Sequence, residues 1–587
     1  MATETSEVTA NGVAASPGIA MGRALVLART DIRVPKRRLS PDEAEGEIAR
    51  LLAAIEATRT QLTDIRDRVA REMGESYARI FDAHKMILED RSSLDEVLAG
   101  IRGGNNAEFA LSTVFSRHER ALWEKGDLYV KDRAADIRDV RIRVLSNLAG
   151  KDHGAGDLSN LDSDVVILSH DLSPADTARM RKEKVKAFAT DVGGRTSHTA
   201  IMARSLEIPA VVGLANVTAR AQDDDYVIVD GNRGKVIIRP LPETLERYTG
   251  ELARYASFTK GLMRFKDLPA VTVDGHRIML SANIESHEEV DSVVEHGAHG
   301  IGLYRTEFLY IGREGLPGED EQYRLYDLVA SKVDPHPVII RTMDIGGDKF
   351  LSAIDSPKEI NPYLGWRGIR FSLARKDIFK TQLRAILRAS TRGNVKIMYP
   401  MISNLDELIQ AVGVLDEAKQ ELTREGLAFD PGCEVGIMVE TPAAVMIASE
   451  LAAHCDFFSI GSNDLIQYAL AADRGNEKVA YLYEPLHLAV LRFIKETVRA
   501  AKQAGIWVGL CGEMSSDPVC AFILLGLGLD ELSTSPYVVP EIKEMVRSVA
   551  FADAERIARE ALQMSDPSEI RRRAVAAIAG KAPDLPL

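Results

Sequence analysis

Eight apolar, strand-like runs follow residue 270, each ending in polar residues: Ile278–Asn283, Gly300–Arg305, Val338–Arg341, Val395–Tyr399, Val435–Glu440, Phe457–Asn463, Trp507–Cys511 and Glu531–Ser535. Helical patterns lie between them. Continuous apolar runs of this kind suit strands covered on both faces, as in parallel sheets. Eight strand–helix units in succession predict a (β/α)8 TIM-type barrel, with any active site at the C-terminal strand ends where the polar residues stand. A doubly wound sheet is the alternative, but it would need fewer strands or a second domain.

The chain has 587 residues, too many for one core. Residues 12–27 read as short strands broken by glycine and proline. At Ser40 the texture changes: Ser40-Pro41-Asp42-Glu43 is a capping box with Pro at the first helical position. Ile48, Leu51, Leu52, Ile55, Leu62, Ile65 and Val69 then keep a 3.6-residue period, and helical patterning continues to 148. From 161 the pattern mixes strands (Val165–Leu168, Tyr226–Val229) with helices expected over 175–183 and 199–206. We therefore expect a multidomain α/β chain. Residues 1–39 and 149–240 form one discontinuous α/β domain, 40–148 a helical insertion, 241–269 a helical linker, and 270–587 the barrel.

The net charge of −14 disfavours general binding to nucleic acid or anionic membrane. Cysteines stand at 433, 455, 511 and 520 with no CxxC pair, so a reducing cytoplasm is expected. The first residues lack the basic and apolar regions of a signal peptide, and no run of about 18 apolar residues predicts membrane insertion.

Two places carry chemistry. The strand Val185–Thr190 leads into Asp191-Val192-Gly193-Gly194-Arg195-Thr196-Ser197-His198-Thr199-Ala200 at an expected helix start. Glycines, helix-start N–H groups and the donors of Arg195, Thr196 and Ser197 would receive the charge of a phosphoryl group on His198. The blander reading is a histidine that caps the helix. In the barrel region, Arg305, Arg341, Arg367 and Arg474 stand at or just beyond strand ends. One such arginine alone is an ordinary surface charge; several at the ends of one barrel suggest an anion site. Glu440 and Asp464 adjoin apolar strands, where a carboxylate needs an ion-pair partner or a metal. Cys511 closes the seventh run.

Gly193–Ser205 closely resembles the phosphohistidine signature of the phosphoenolpyruvate-utilising enzymes, and within them enzyme I of the bacterial phosphoenolpyruvate:sugar phosphotransferase system. The resemblance runs from Gly12 to about 550. It implies a phosphoenolpyruvate-protein phosphotransferase that takes a phosphoryl group from phosphoenolpyruvate onto His198, passes it to the carrier protein HPr and releases pyruvate. It further implies that Arg305, Arg341, Arg474 and Asn463 bind substrate, that Glu440 and Asp464 bind Mg2+, and that Cys511 donates a proton. Arg367, Arg195 and Ser173 would support these roles. His84, Met86, Ile87 and Arg133 fall in segments matching the family's HPr-docking helices. The resemblance also implies a homodimer through the barrel. Three alternatives remain: a nitrogen-regulatory paralogue with another carrier, a dikinase, for which no nucleotide-binding loop is present, and a catalytically silent scaffold.

Overall fold

The computed structural model describes residues 6–585 apart from 17, 28–33, 73 and 74, 124–127, 151–160, 162, 173–179, 181 and 182, 194–202, 204–207, 311–314, 347–358, 360, 475, 477 and 478, and 584. Two compact units divide the chain, Met1–Ala256 and Ser257–Leu587.

The first unit contains an eight-stranded sheet. Its strands are β1 (Val8–Asn11), β2 (Val13–Ser16), β3 (Ile19–Leu27), β4 (Val165–Ser169), β5 (Val185–Thr190), β6 (Ala210–Val212), β7 (Tyr226–Asp230) and β8 (Lys235–Ile238), in the order β1-β8-β7-β3-β4-β5-β6-β2. β3 to β6 run parallel, whereas β1, β7, β8 and β2 join antiparallel. The β1 strand is absent from the sequence expectation. Its four residues carry only a weak signal, and pairing with β8, more than 200 positions away, makes it a strand. Along β4, Val166 and Leu168 face one buried cluster and Val165 and Ile167 the other. That two-sided burial accounts for the unbroken apolar run.

Between β3 and β4 the chain forms α1 (Ala44–Glu72), α2 (Glu75–Leu88), α3 (Arg91–Arg102), α4 (Ala107–Trp123) and α5 (Leu128–Leu148) around their own apolar core. The capping box before α1 is realised in part: Glu43 accepts hydrogen bonds from Ser40 N at 2.8 Å and Ser40 Oγ at 3.0 Å, so the hydroxyl faces the carboxylate rather than the Glu43 N–H. Residues Pro242–Leu262 form a helix, within the stretch 241–269 expected to be helical.

The second unit is a closed barrel of eight parallel strands: β9 (Met279–Ile284), β10 (Ile301–Tyr304), β11 (Val338–Arg341), β12 (Val395–Tyr399), β13 (Val435–Val439), β14 (Phe457–Ile460), β15 (Trp507–Leu510) and β16 (Glu531–Thr534), which closes on β9. One boundary differs from expectation in a way that matters. β14 stops at Ile460 and a helix runs from Ser462 to Leu470, so Asn463 and Asp464 sit in a helical first turn rather than in a strand. Gly461 makes the turn possible, because a side chain there would meet Glu440 Cβ and Oε2 at 2.9 Å.

Candidate active site

The C-terminal end of the barrel gathers the strand-end charges into one alternating array. Arg341, the last residue of β11, donates from Nη2 to Glu307 at 2.9 Å and places Nη1 3.2 Å from Asp344. Arg367 binds Asp344 through two nitrogens, Nε at 3.1 Å and Nη2 at 2.7 Å, and reaches Asp464 at 3.3 Å. Arg474 Nη1 lies 3.5 Å from Asp464. Arg305, just past β10, pairs with Glu285. Burial works against the Arg341 charge, but Glu307, Asp344 and Glu440 together hold its guanidinium above its usual value. Gly368, in the left-handed region at φ 56°, turns the chain beside Arg367. A Cβ there would meet Met401 at 2.9 Å and Asp344 Oδ1 at 3.0 Å.

Glu440 directly follows β13 and is almost fully buried. Its Oε1 accepts from Met401 N at 2.6 Å. Burial, then the negative charges of Asp464 and Asp344, push its carboxyl well above the usual range, against Arg341 and Arg367. Asp464 Oδ1 is buried without a hydrogen bond. Glu440, with no ion-pair partner among the described residues, and Asp464, whose Oδ1 meets only Arg474 at 3.5 Å, are hard-oxygen donors that fit a divalent cation. Among the described residues no cluster of three or more His, Cys, Asp or Glu side chains stands ready for a metal. The pair is therefore a partial shell, which suits an ion that shares its remaining positions with substrate oxygens and water.

Cys511 follows β15 and is buried, with its backbone N–H donating to Ile460 O at 3.1 Å. Burial pushes its thiol up to about 11, opposed by a hydrogen bond with Ser459 and by the Arg341 charge, so the thiol keeps its proton at neutral pH. Asn463 Oδ1 accepts from Glu513 N at 2.8 Å, which ties the start of the Ser462–Leu470 helix to the segment after Cys511.

The remaining expected residues divide. His198, Arg195 and Ser173 lie outside the described residues. The stem before that segment is described: Asp191 accepts from Thr218 N at 3.1 Å and from its hydroxyl, and meets His170 Nδ1 at 3.2 Å. In α2, Met86 is exposed, whereas Ile87 packs against the bundle core. His84 corrects an expectation: its ring is buried and bonded to Asp136 at 3.1 Å, so it joins α2 to α5 and offers no ring to a partner. The reason is helical phase, which puts 84, 87 and 88 on the inward face and 86 on the outward one. The side chain of Arg133 lies outside the described residues.

The sequence matches the profile of the PEP-utilising enzyme N-terminal region over 11–133, that of the mobile domain over 161–234, and that of the PEP-binding domain over 259–551. It is 47% identical over 565 residues to a phosphoenolpyruvate-protein phosphotransferase of Geobacillus stearothermophilus, covering 96% of this chain and 97% of the relative. The chain belongs to the PEP-utilising enzymes. A Haemophilus influenzae phosphoenolpyruvate-protein phosphotransferase is 44% identical over 95% of this chain and 97% of its own length. The solution structure of an Enzyme I protein is 42% identical, covers 42% of this chain and 99% of that one, and superimposes with a TM-score of 0.37. The PEP-binding profile spans all eight barrel strands and every barrel residue named above; the mobile-domain profile contains His198 and Asp191.

Sequence reasoning left Glu285, Glu307, Asp344 and Tyr468 without a role. Two carried a usable signal: Asp344 stands three residues after Arg341, and Glu307 two after Arg305. Nothing local marks Tyr468, whose hydroxyl receives Arg367 Nη1 at 3.4 Å and donates to Tyr363 O at 2.5 Å.

Proposed function

We propose that this enzyme moves the phosphoryl group of phosphoenolpyruvate to His198 and then to a histidine of an HPr-type carrier, releasing pyruvate as the first step of phosphotransferase-system sugar uptake. The observation that carries the reading is the barrel mouth itself: four arginines, a buried Glu440 beside Asp464, and a protonated thiol, on the strand ends and the segments that follow them. Arg305, Arg341 and Arg474 would hold the phosphate and carboxylate of the substrate, with Asn463 on the phosphate and Arg367 in support. Glu440 and Asp464 would hold Mg2+, which when bound neutralises phosphate charge and polarises the transferring group. A ring nitrogen of His198 forms the new P–N bond as the P–O bond to the enol oxygen breaks, in line. Cys511 then gives its proton to the enolate carbon, and the nearby Arg341 charge steadies the thiolate until solvent restores the proton.

We assign residues 1–39 and 149–240 to the phosphohistidine domain, 40–148 to HPr docking, 241–269 to the linker, and 270–587 to substrate binding and dimerisation. Exposed Tyr363, Leu364, Tyr481 and Leu482 on loops after β11 and β14 support self-association of the barrel. A cytoplasmic location fits the thiol usage. No helix among the described residues is long and apolar enough to cross a membrane. The Geobacillus stearothermophilus and Haemophilus influenzae relatives carry the phosphoenolpyruvate-protein phosphotransferase name at 44–47% identity, which favours the sugar-system reading.

Labelled phosphoenolpyruvate tests it. Wild-type chain should acquire acid-labile, base-stable label and pass it to HPr, whereas His198→Ala should take none. Label retained on His198→Ala would show that another residue is the carrier.

A further inference from the structure

The four mouth arginines are not held equally. Arg341 is 10% exposed and its partners Glu307 and Asp344 only 11% and 2%. Arg367 is similarly enclosed on Asp344. Opening either pair would strand a buried charge, which is costly. The Arg305–Glu285 pair is different: its members are 33% and 36% exposed. Pairs this open to water contribute little and separate easily.

Glu285 is nevertheless aimed. It directly follows β9, and the turn after it is fixed by a capping box in which Glu289 Oε1 accepts from Glu285 N at 3.1 Å and Ser286 N at 2.9 Å, while Ser286 caps the short helix His287–Glu289. A carboxylate on a pinned backbone thus rests on one of the two accessible guanidiniums of the substrate site; the other, Arg474, is 34% exposed but faces Asp464, which is itself only 9% exposed.

We propose that Glu285 is an internal anion occupying the Arg305 position, which phosphoenolpyruvate must displace, so that Glu285 sets the affinity for substrate. This rests on the reading of Arg305 as a substrate ligand. A phosphate dianion offers Arg305 stronger charge-assisted hydrogen bonds than a half-solvated carboxylate, so exchange favours substrate. The resident carboxylate lowers the net gain and repels the incoming anion. The deeper arginines make no such exchange, because their carboxylates are enclosed with them.

The test is calorimetric titration of phosphoenolpyruvate, with Mg2+, into full-length His198→Ala chain, which binds substrate without an acceptor. Glu285→Gln added to it should tighten binding about three- to fivefold, the upper part of the range expected for removing one partly exposed ion-pair competitor. Arg305→Ala should weaken binding, and with Arg305 gone Glu285→Gln should make less than about a twofold difference if competition for that guanidinium is the mechanism. If Arg305→Ala weakens binding but Glu285→Gln leaves it unchanged or weaker, Glu285 is a strut for Arg305 and the proposal is overturned. If Glu285→Gln tightens binding equally without Arg305, it acts only as a general negative charge and the proposal also fails. If Arg305→Ala does not alter affinity, the underlying reading of the substrate site falls, and the inference with it.

Discussion

At the scale of single residues, the barrel mouth is organised by competition for charge. Asp344 serves Arg341 and Arg367, Asp464 shares Arg367 and adds Arg474, and Glu440 is left with a backbone N–H and the negative charges of Asp464 and Asp344 beside it. Such an arrangement is unfavourable by itself and is relieved by a cation and an anion arriving together. We therefore expect Glu440→Ala and Asp464→Ala each to lower kcat/KM with phosphoenolpyruvate at least about a hundredfold, or roughly 3 kcal/mol of transition-state stabilisation. Either variant should also need far more Mg2+ for half-maximal rate. Wild-type rates with the wild-type Mg2+ dependence in either variant would remove that residue from the metal shell.

Among elements, the helix Val539–Ser548 shows how a buried charge can join segments. Lys543 has no exposed surface, and its Nζ donates to Lys266 O at 2.8 Å and Gly297 O at 2.7 Å. It thereby fastens the segment entering the barrel to the turn before β10. Burial pushes its amine down to about 8, against Asp267. Below that pH both folded and unfolded chains hold the proton, so the burial penalty is present in full. Above it the folded chain releases the proton first, and stability from this group rises with pH until the unfolded lysine also titrates, near 10.4. Lys543→Met, which orphans two carbonyls, should cost about 1–3 kcal/mol at pH 7.5. The gap to wild type should widen between pH 8 and 10. Urea unfolding followed by tryptophan fluorescence reads this, since Trp366 and Trp507 both lie in the barrel unit. A gap that narrows over that window would contradict the assignment.

For the whole molecule, the proposed reaction divides its chemistry between units: His198 belongs to Met1–Ala256 and Cys511 to Ser257–Leu587. The two half-reactions should therefore fail separately. Cys511→Ala should cripple reaction with phosphoenolpyruvate, where an enolate needs a proton. It should leave phosphoryl exchange between phosphorylated HPr and His198 near the wild-type rate, because that exchange has no carbon to protonate. Rates measured for both directions decide it: equal losses would make the thiol a packing residue of the barrel rather than a proton donor.

What the sequence determined by itself was whatever local periodicity and local chemistry encode. The eight apolar runs became β9 to β16, two with unchanged ends, five with ends moved by one residue and β14 stopping three residues short, because strands covered on both faces must be apolar without interruption. The α1–α5 stretch followed its 3.6-residue period. The strand-end arginines, Glu440 and Cys511 could be named because they interrupt apolar runs. Tertiary structure alone decided which charges meet. Arg367 and Asp464 are 97 positions apart, and Arg341 and Glu307 are 34 apart, so nothing local couples them. It also turned His84 inward, buried Lys543 and set Glu285 against Arg305. Each of these outcomes depends on long-range packing bringing a particular partner or surface to the side chain, and a one-dimensional pattern of polarity carries no record of that distance.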